Sequence, residues 1–284
     1  MSPDRYTGPS KIRGWLSILD DRGVSDVVGY VLVFALVTAT ITSVFAIGMG
    51  GIEDRRDAER VENVERAFDV LDDNLRDLER YGDPSRATEV RLSGGELSLS
   101  SKTNVTIEQV DDNGTRISEN VTEVNSSAVT YTRGETTIGY DMGARFRTDG
   151  DTTLFRSEPR FVSAEGEPNR TVIPIVRTRP GDGPETATGD GTVQISASVG
   201  EVKRFEYPED GIDPDEIDEI DEIGEIRIRI RIESPRADAW ERYLDDTEEV
   251  FSNVSADENE VVATVDRDEA VYVRVIVVNV SYRR

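Results

Sequence analysis

The chain contains neither cysteine nor histidine, and among its 284 residues lysine occurs only at Lys11, Lys102 and Lys203. Without cysteine there is no disulfide framework to hold a fold and no sign of the redox compartment. Without either residue, Ser-His-Asp and Cys-His nucleophile arrangements, the usual zinc sites and most general-base designs are excluded. A glycine-rich phosphate loop with its lysine is missing too, as is a dinucleotide fingerprint. A glycosidase built on paired carboxylates stays formally open, but plentiful acid in so acidic a chain says little. The expectation is a protein with no catalytic residues, no metal site and no cofactor.

Acid is what the chain has in excess. Fifty-eight acidic residues stand against 33 basic ones, a net charge of −25. Nucleic acid is therefore excluded as a partner, because its phosphates would be repelled. Hydrophobic residues make up 36% of the chain and recur in alternating stretches, which argues for a folded domain rather than disorder. Arginine carries almost all of the positive charge. Such a surface suits concentrated salt: at about 1 M the screening length falls to roughly 3 Å and self-repulsion is quenched.

From Val27 to Ile52 no residue is charged. At about 1.5 Å per residue this run exceeds a bilayer core of roughly 30 Å, so residues 24–52 are predicted to form a transmembrane helix. Arg5, Lys11, Arg13 and Arg22 precede it and favour a cytoplasmic N-terminus, although Arg55 and Arg56 follow it on the other side. The run is longer than the apolar core of a secretory signal and lacks a clean small-x-small cleavage site, so the helix is expected to be retained.

Immediately before the apolar run stands Asp21-Arg22-Gly23-Val24-Ser25-Asp26-Val27-Val28-Gly29-Tyr30. This stretch resembles the class III signal of type IV pilins and pilin-like surface proteins of archaea, haloarchaea in particular. The resemblance implies a cytoplasmic leader, residues 1–23, removed by a membrane prepilin peptidase between Gly23 and Val24. Arg22, Gly23, Val24 and Ser25 form the recognition segment. Where the family has proline this chain has Asp26. Its carboxylate either caps or opposes the positive helix start, or pairs with the new α-amino group of a neighbouring subunit. Other pilin-like subunits are thus implied partners, beside the membrane and the peptidase.

Beyond the membrane the helix is predicted to continue as an amphipathic stalk, residues 53–82. Ala58, Val61, Val64, Phe68, Leu71, Leu75 and Leu78 recur at spacings of three and four. Tyr81-Gly82-Asp83-Pro84 ends it. The seam has two readings, packing on the chain's own domain or on a second subunit. Residues 88–284 read as a β-rich domain, so the fold class is α+β, a long helix followed by a mainly antiparallel sheet domain. Thr88–Leu92 and Glu96–Ser100 flank Ser93-Gly94-Gly95 and predict a hairpin. Further strands are expected at Val129–Thr132, Ala144–Arg147, Thr171–Arg177, Thr192–Val199, Ile226–Ile232 and Val271–Val280. Strict alternation in Ile226–Ile232 turns isoleucines inward and arginines outward. Ser234-Pro235 is expected to start a short helix with Trp240, Tyr243 and Leu244 on its buried face. Pro180–Gly191 and an acidic stretch, 208–225, with Asp-Glu-Ile repeats read as loops without a calcium-site pattern.

Beyond Thr88 there are eight asparagines, and seven begin an Asn-x-Ser/Thr sequon: Asn104, Asn113, Asn120, Asn125, Asn169, Asn253 and Asn279. By chance roughly one in seven would qualify. The enrichment predicts N-glycosylation and therefore an extracellular β-rich domain, with the N-terminus in the cytoplasm. The resulting expectation is a single-pass cell-membrane structural protein, a pilin or minor pilin-like subunit. The alternative is an anchored envelope protein whose outer domain is a binding module.

Overall fold

The structure, a computed structural model, describes residues 21–111, 113–164, 169–207, 227–247, 250–265 and 269–284. The expected acidic loop 208–225 and residues 1–20 of the expected leader lie outside these. The chain divides into two units, Met1–Asp57 and Ala58–Arg284.

Helix α1 runs without a break from Asp21 to Tyr81, 61 residues, so its apolar half belongs to the first unit and its amphipathic half to the second. In the first unit, Asp26–Met49 is long and apolar enough to cross a membrane, with a mean hydropathy of 2.3 and none of its residues buried. The threonine and serine hydroxyls of this stretch are satisfied within the helix. Thr38 and Thr42 donate to the carbonyls of Phe34 and Thr38, and Ser43 to that of Ala39, each at 2.8 Å. In hydrocarbon a hydroxyl without such an acceptor would be costly.

In the second unit the same helix becomes a core element. Val64, Phe68, Leu71, Leu75 and Leu78 are each at most 2% exposed, and Val61 packs beside them. Ala58, the first residue of the expected seam, is exposed. Of the two readings of the seam, packing on the chain's own domain is what the structure shows. The helix stops where expected: Gly82 adopts φ +67°, a left-handed conformation that costs glycine least, and β1 begins at Ser85, just after Pro84.

Two sheets follow. The five-stranded sheet has the order β1 (Ser85–Arg91), β10 (Thr192–Tyr207), β14 (Glu269–Arg283), β8 (Asn169–Pro180) and β7 (Val162–Ala164). The nine-stranded sheet runs β12 (Phe251–Asp257), β13 (Glu260–Val265), β11 (Arg227–Glu233), β2 (Glu96–Val110), β3 (Thr122–Arg133), β4 (Thr136–Asp141), β5 (Ala144–Asp149) and β6 (Thr152–Ser157), with β9 (Thr186–Thr188) also against β2. Pairing is antiparallel except between β8 and β14, which run parallel from Asn169 beside Glu269 to Pro180 beside Val280. The α+β class with a mainly antiparallel domain is therefore observed.

Three local expectations need correction. Ser93-Gly94-Gly95 is a turn, closed by the Gly95 N–H donating to the Leu92 carbonyl, but it is not a hairpin. It carries the chain from one sheet to the other, because β1 pairs with β10 while β2 pairs with β3 and β11. Gly95 is required there, since a Cβ would stand 2.4 Å from the Tyr131 ring. The expected Pro180–Gly191 loop contains β9, held to Glu96–Ser98. Finally, α2 spans Ala237–Asp246 with Arg236 rather than Ser234 at its cap. The Ser234 hydroxyl accepts from the Arg236 N–H at 3.2 Å and bonds Thr103, so it braces the turn before the helix.

Long strands serve two cores. A bulge at Leu99/Ser101 adds one residue to β2, which sets Leu97 and Leu99 on the face opposite to Val105 and Ile107. Leu97 and Leu99 join α1 in the first core; Val105 and Ile107 join the second. The second core is closed by α2, whose Trp240, Tyr243 and Leu244 are buried as expected. Trp240 meets Phe155 edge-on at 5.1 Å, and Phe161 packs against both Tyr243 and Phe251.

Candidate functional site

The segment expected to be cut lies at the start of α1. Arg22, Gly23, Val24 and Ser25 are helical in the uncut chain, so the Gly23–Val24 bond lies within α1. Asp26 is exposed and sits inside the helix of the uncut chain. It would stand at the helix start only once residues 1–23 were removed.

The sequons are spread over the β domain. Asn113 and Asn120 are exposed in the segment joining β2 to β3, where the backbone N–H groups of Asn113 and Thr115 donate to Asp111 and that of Asn120 to Ser118. Asn104 and Asn125 stand directly opposite each other on β2 and β3. Asn125 is exposed, while the Asn104 amide donates to Glu233 at 3.1 Å. Asn169 opens β8. Asn253 is exposed at a bulge in β12, at φ +52°, with its amide donating to the Thr264 hydroxyl at 3.0 Å. Asn279 is the most constrained. It lies mid-strand in β14 between β10 and β8, and its carboxamide oxygen accepts from Arg179 Nε at 2.7 Å. Gly200 makes room for it, since a Cβ there would come within 2.9 Å of its Nδ2.

Where α1 meets β5 and β6, charge supplements packing. Glu65 faces Arg145, Arg147 and Arg156 at 3.2–3.8 Å, and Asp69 pairs with Arg145 at 2.5 Å. One turn on, Asp72 is buried beside Arg76, which also donates to Ser157. Burial raises the Asp72 carboxyl above its usual value, and the Arg76 guanidinium only partly offsets this. Burial likewise raises Glu79 against the opposing pull of Arg274. The Tyr140 phenol, fully buried nearby, is pushed well up by the same desolvation. These groups fix the helix to the sheet. Among the described residues, no three acidic side chains converge to hold a metal ion.

Two polar clusters elsewhere escaped the reading of the sequence. Asp141 at the end of β4 accepts from Arg236 Nη2 and from the Thr103 hydroxyl, each at 2.5 Å, and Arg236 lies 4.5 Å above the Phe146 ring. Both charges are at least 93% buried by side chain, which ties β2, β4 and the start of α2 together. Glu108 on β2 accepts from Arg229 at 2.6 and 2.8 Å and from Arg116 at 2.6 Å. Burial alone would raise its carboxyl; the hydrogen bonds from the two arginines outweigh burial and hold it below the ordinary value. The outward arginines of the Ile-Arg alternation were visible in the sequence, but the carboxylate that meets Arg229 is 121 residues away.

Neither a curated protein nor a solved structure matches the chain. Residues 22–281, which hold the helix and both sheets, match the family of unknown function DUF7289, and the chain belongs to that family.

Proposed function

We propose that this protein is a pilin-like structural subunit of the cell surface, held by α1 with the N-terminus in the cytoplasm and the β domain outside. The observation that carries this is the division of labour within one continuous helix. Asp26–Met49 is apolar and none of it is buried, whereas Val64–Leu78 is built into the core of the β domain. An apolar helix of this kind is stable in a bilayer, or bundled with the same helix of other subunits. The sequence Arg22-Gly23-Val24-Ser25 at its head supports release of the leader by a prepilin peptidase. Seven sequons confined to the β domain support an outside location, and the excess of acid and arginine supports life in concentrated salt.

The test is mass spectrometry of the N-terminus of the membrane-bound protein, from cells with and without the prepilin peptidase. The expected result is a chain beginning at Val24 only when the peptidase is present. A chain beginning at or near Met1 in both would end the pilin-like reading and leave an anchored envelope protein whose outer domain binds a partner.

A further inference from the structure

β10 is paired on both sides for only half its length. Against β1 it is covered from Thr192 to Ser198, and the Val199 N–H still reaches the Pro84 carbonyl. There α1 and its terminating Gly82 and Pro84 have only just released the chain, so β1 itself extends no further along β10. After a bulge at Gly200, β10 pairs with β14 alone from Glu201 to Tyr207 among the described residues. A run of this length, about 23 Å at roughly 3.3 Å per residue, has no second strand beside it among the described residues.

Beside this edge lies a cavity of about 290 Å³ between β10 and the start of β3. Phe205, Val275 and Val277 line it from one sheet and Val121 to Val124 from the other, with Lys203 and Arg177 among the lining. Residues alternating with these point to the opposite face: Val202, 39% exposed, then Arg204 and Glu206. Arg204 stands directly across from Arg274 of β14. Like charges so placed destabilise a sheet. Arg274 feels Glu79, but the Arg204 side chain forms no ion pair among the described residues.

We propose that the free half of β10 is a docking edge for an extended peptide of a partner protein whose side chains alternate between apolar and acidic. A strand edge without a neighbour among the described residues calls for an extended backbone, as in other cases of strand addition. The cavity takes the apolar side chains, and the carboxylates lie against Arg204 and relieve its opposition to Arg274. The assignment does not rest on the filament reading.

The experiment uses the full chain in detergent micelles and a fluorescein-labelled heptapeptide, Asp-Val-Asp-Val-Asp-Val-Asp. Amide hydrogen exchange is followed by mass spectrometry and binding by anisotropy. Exchange should slow across Gly200–Tyr207 on adding the peptide, and the Lys-Val counterpart should have no effect. Arg204→Glu should weaken binding by about threefold, the range for an exposed ion pair. Val121→Trp, which fills the cavity from the segment before β3, should abolish binding without lowering Tm. Equal binding of the lysine peptide, or unchanged binding in both variants, would overturn the proposal. So would edge amides already protected without peptide, because the chain would then be covering the edge itself.

Discussion

Whether the helix seam belongs to the domain or to another subunit can be decided by one substitution and its neighbour. Phe68 is 0% exposed in the first core, packed with Leu71 and Leu75 on α1 and with strands of both sheets. Phe68→Ala removes a full aromatic side chain from a packed site, which costs about 3–5 kcal/mol. The folding unit Ala58–Arg284 has an unfolding entropy of about 0.5 kcal/mol/K, at about 2.1 cal/mol/K per residue. Tm should therefore fall by about 6–10 °C. Val70, two residues on, is 52% exposed, and Val70→Ala should change stability by no more than about 0.5 kcal/mol. The assay is thermal unfolding followed by circular dichroism in high salt, with the full chain in detergent. A Phe68→Ala protein that melts like Val70→Ala but no longer associates with its own kind would refute the reasoning, since the seam would then be an interface between subunits.

Two further predictions address the buried charges. Asp141→Ala strands the Arg236 guanidinium in the interior, so it should cost about 3–5 kcal/mol, and Arg236→Met added to it should recover part of the loss. Because the pair is buried, the cost should be nearly the same at low and high salt, which denaturant titrations at the two salt levels would check. Glu108→Gln gives up charge-assisted hydrogen bonds from two arginines, worth about 2 kcal/mol at neutral pH. The folded carboxyl lies below the ordinary value of 4.5, so its contribution is fully present above that pH and is lost as the pH falls through the folded value. Stability measured from pH 7 downward should show parent and variant converging below about pH 4.5. A gap that stays constant to pH 3 would show that the loss is one of packing.

The parts of the candidate site that were legible are those carried by contiguous residues. Arg22-Gly23-Val24-Ser25, the uncharged run after it and the sequons are each read within a few positions, and no fold is needed to find them. What the sequence could not supply is the condition of each site. Asn113 and Asn279 carry equivalent motifs, yet one is exposed in a turn and the other lies mid-strand under an Arg179 hydrogen bond. Asp26 was readable as a helix-start residue only relative to a cut chain, because in the uncut chain the residues from Asp21 to Ser25 before it are already helical. The open half of β10 was invisible altogether, since an edge is defined by the absence of a neighbour from elsewhere in the chain.

By itself the sequence determined the elements whose signal is periodic or one-sided. The apolar half of α1, its three-and-four seam, the stop at Gly82 and the alternation in β11 all follow from which side chains one short segment places on one face. Local geometry is enough to settle those. Tertiary structure alone decided which strands pair: the turn at Ser93–Gly95 joins two sheets instead of two neighbouring strands, β8 runs parallel to β14, and β9 forms inside a turn-rich segment. A strand's backbone groups accept any partner of suitable spacing, so the choice between partners rests on the burial of distant side chains. The same holds for Asp141 with Arg236 and Glu108 with Arg229. An ion pair becomes strong only when the fold removes both charges from water, and nothing local to either residue announces that it will.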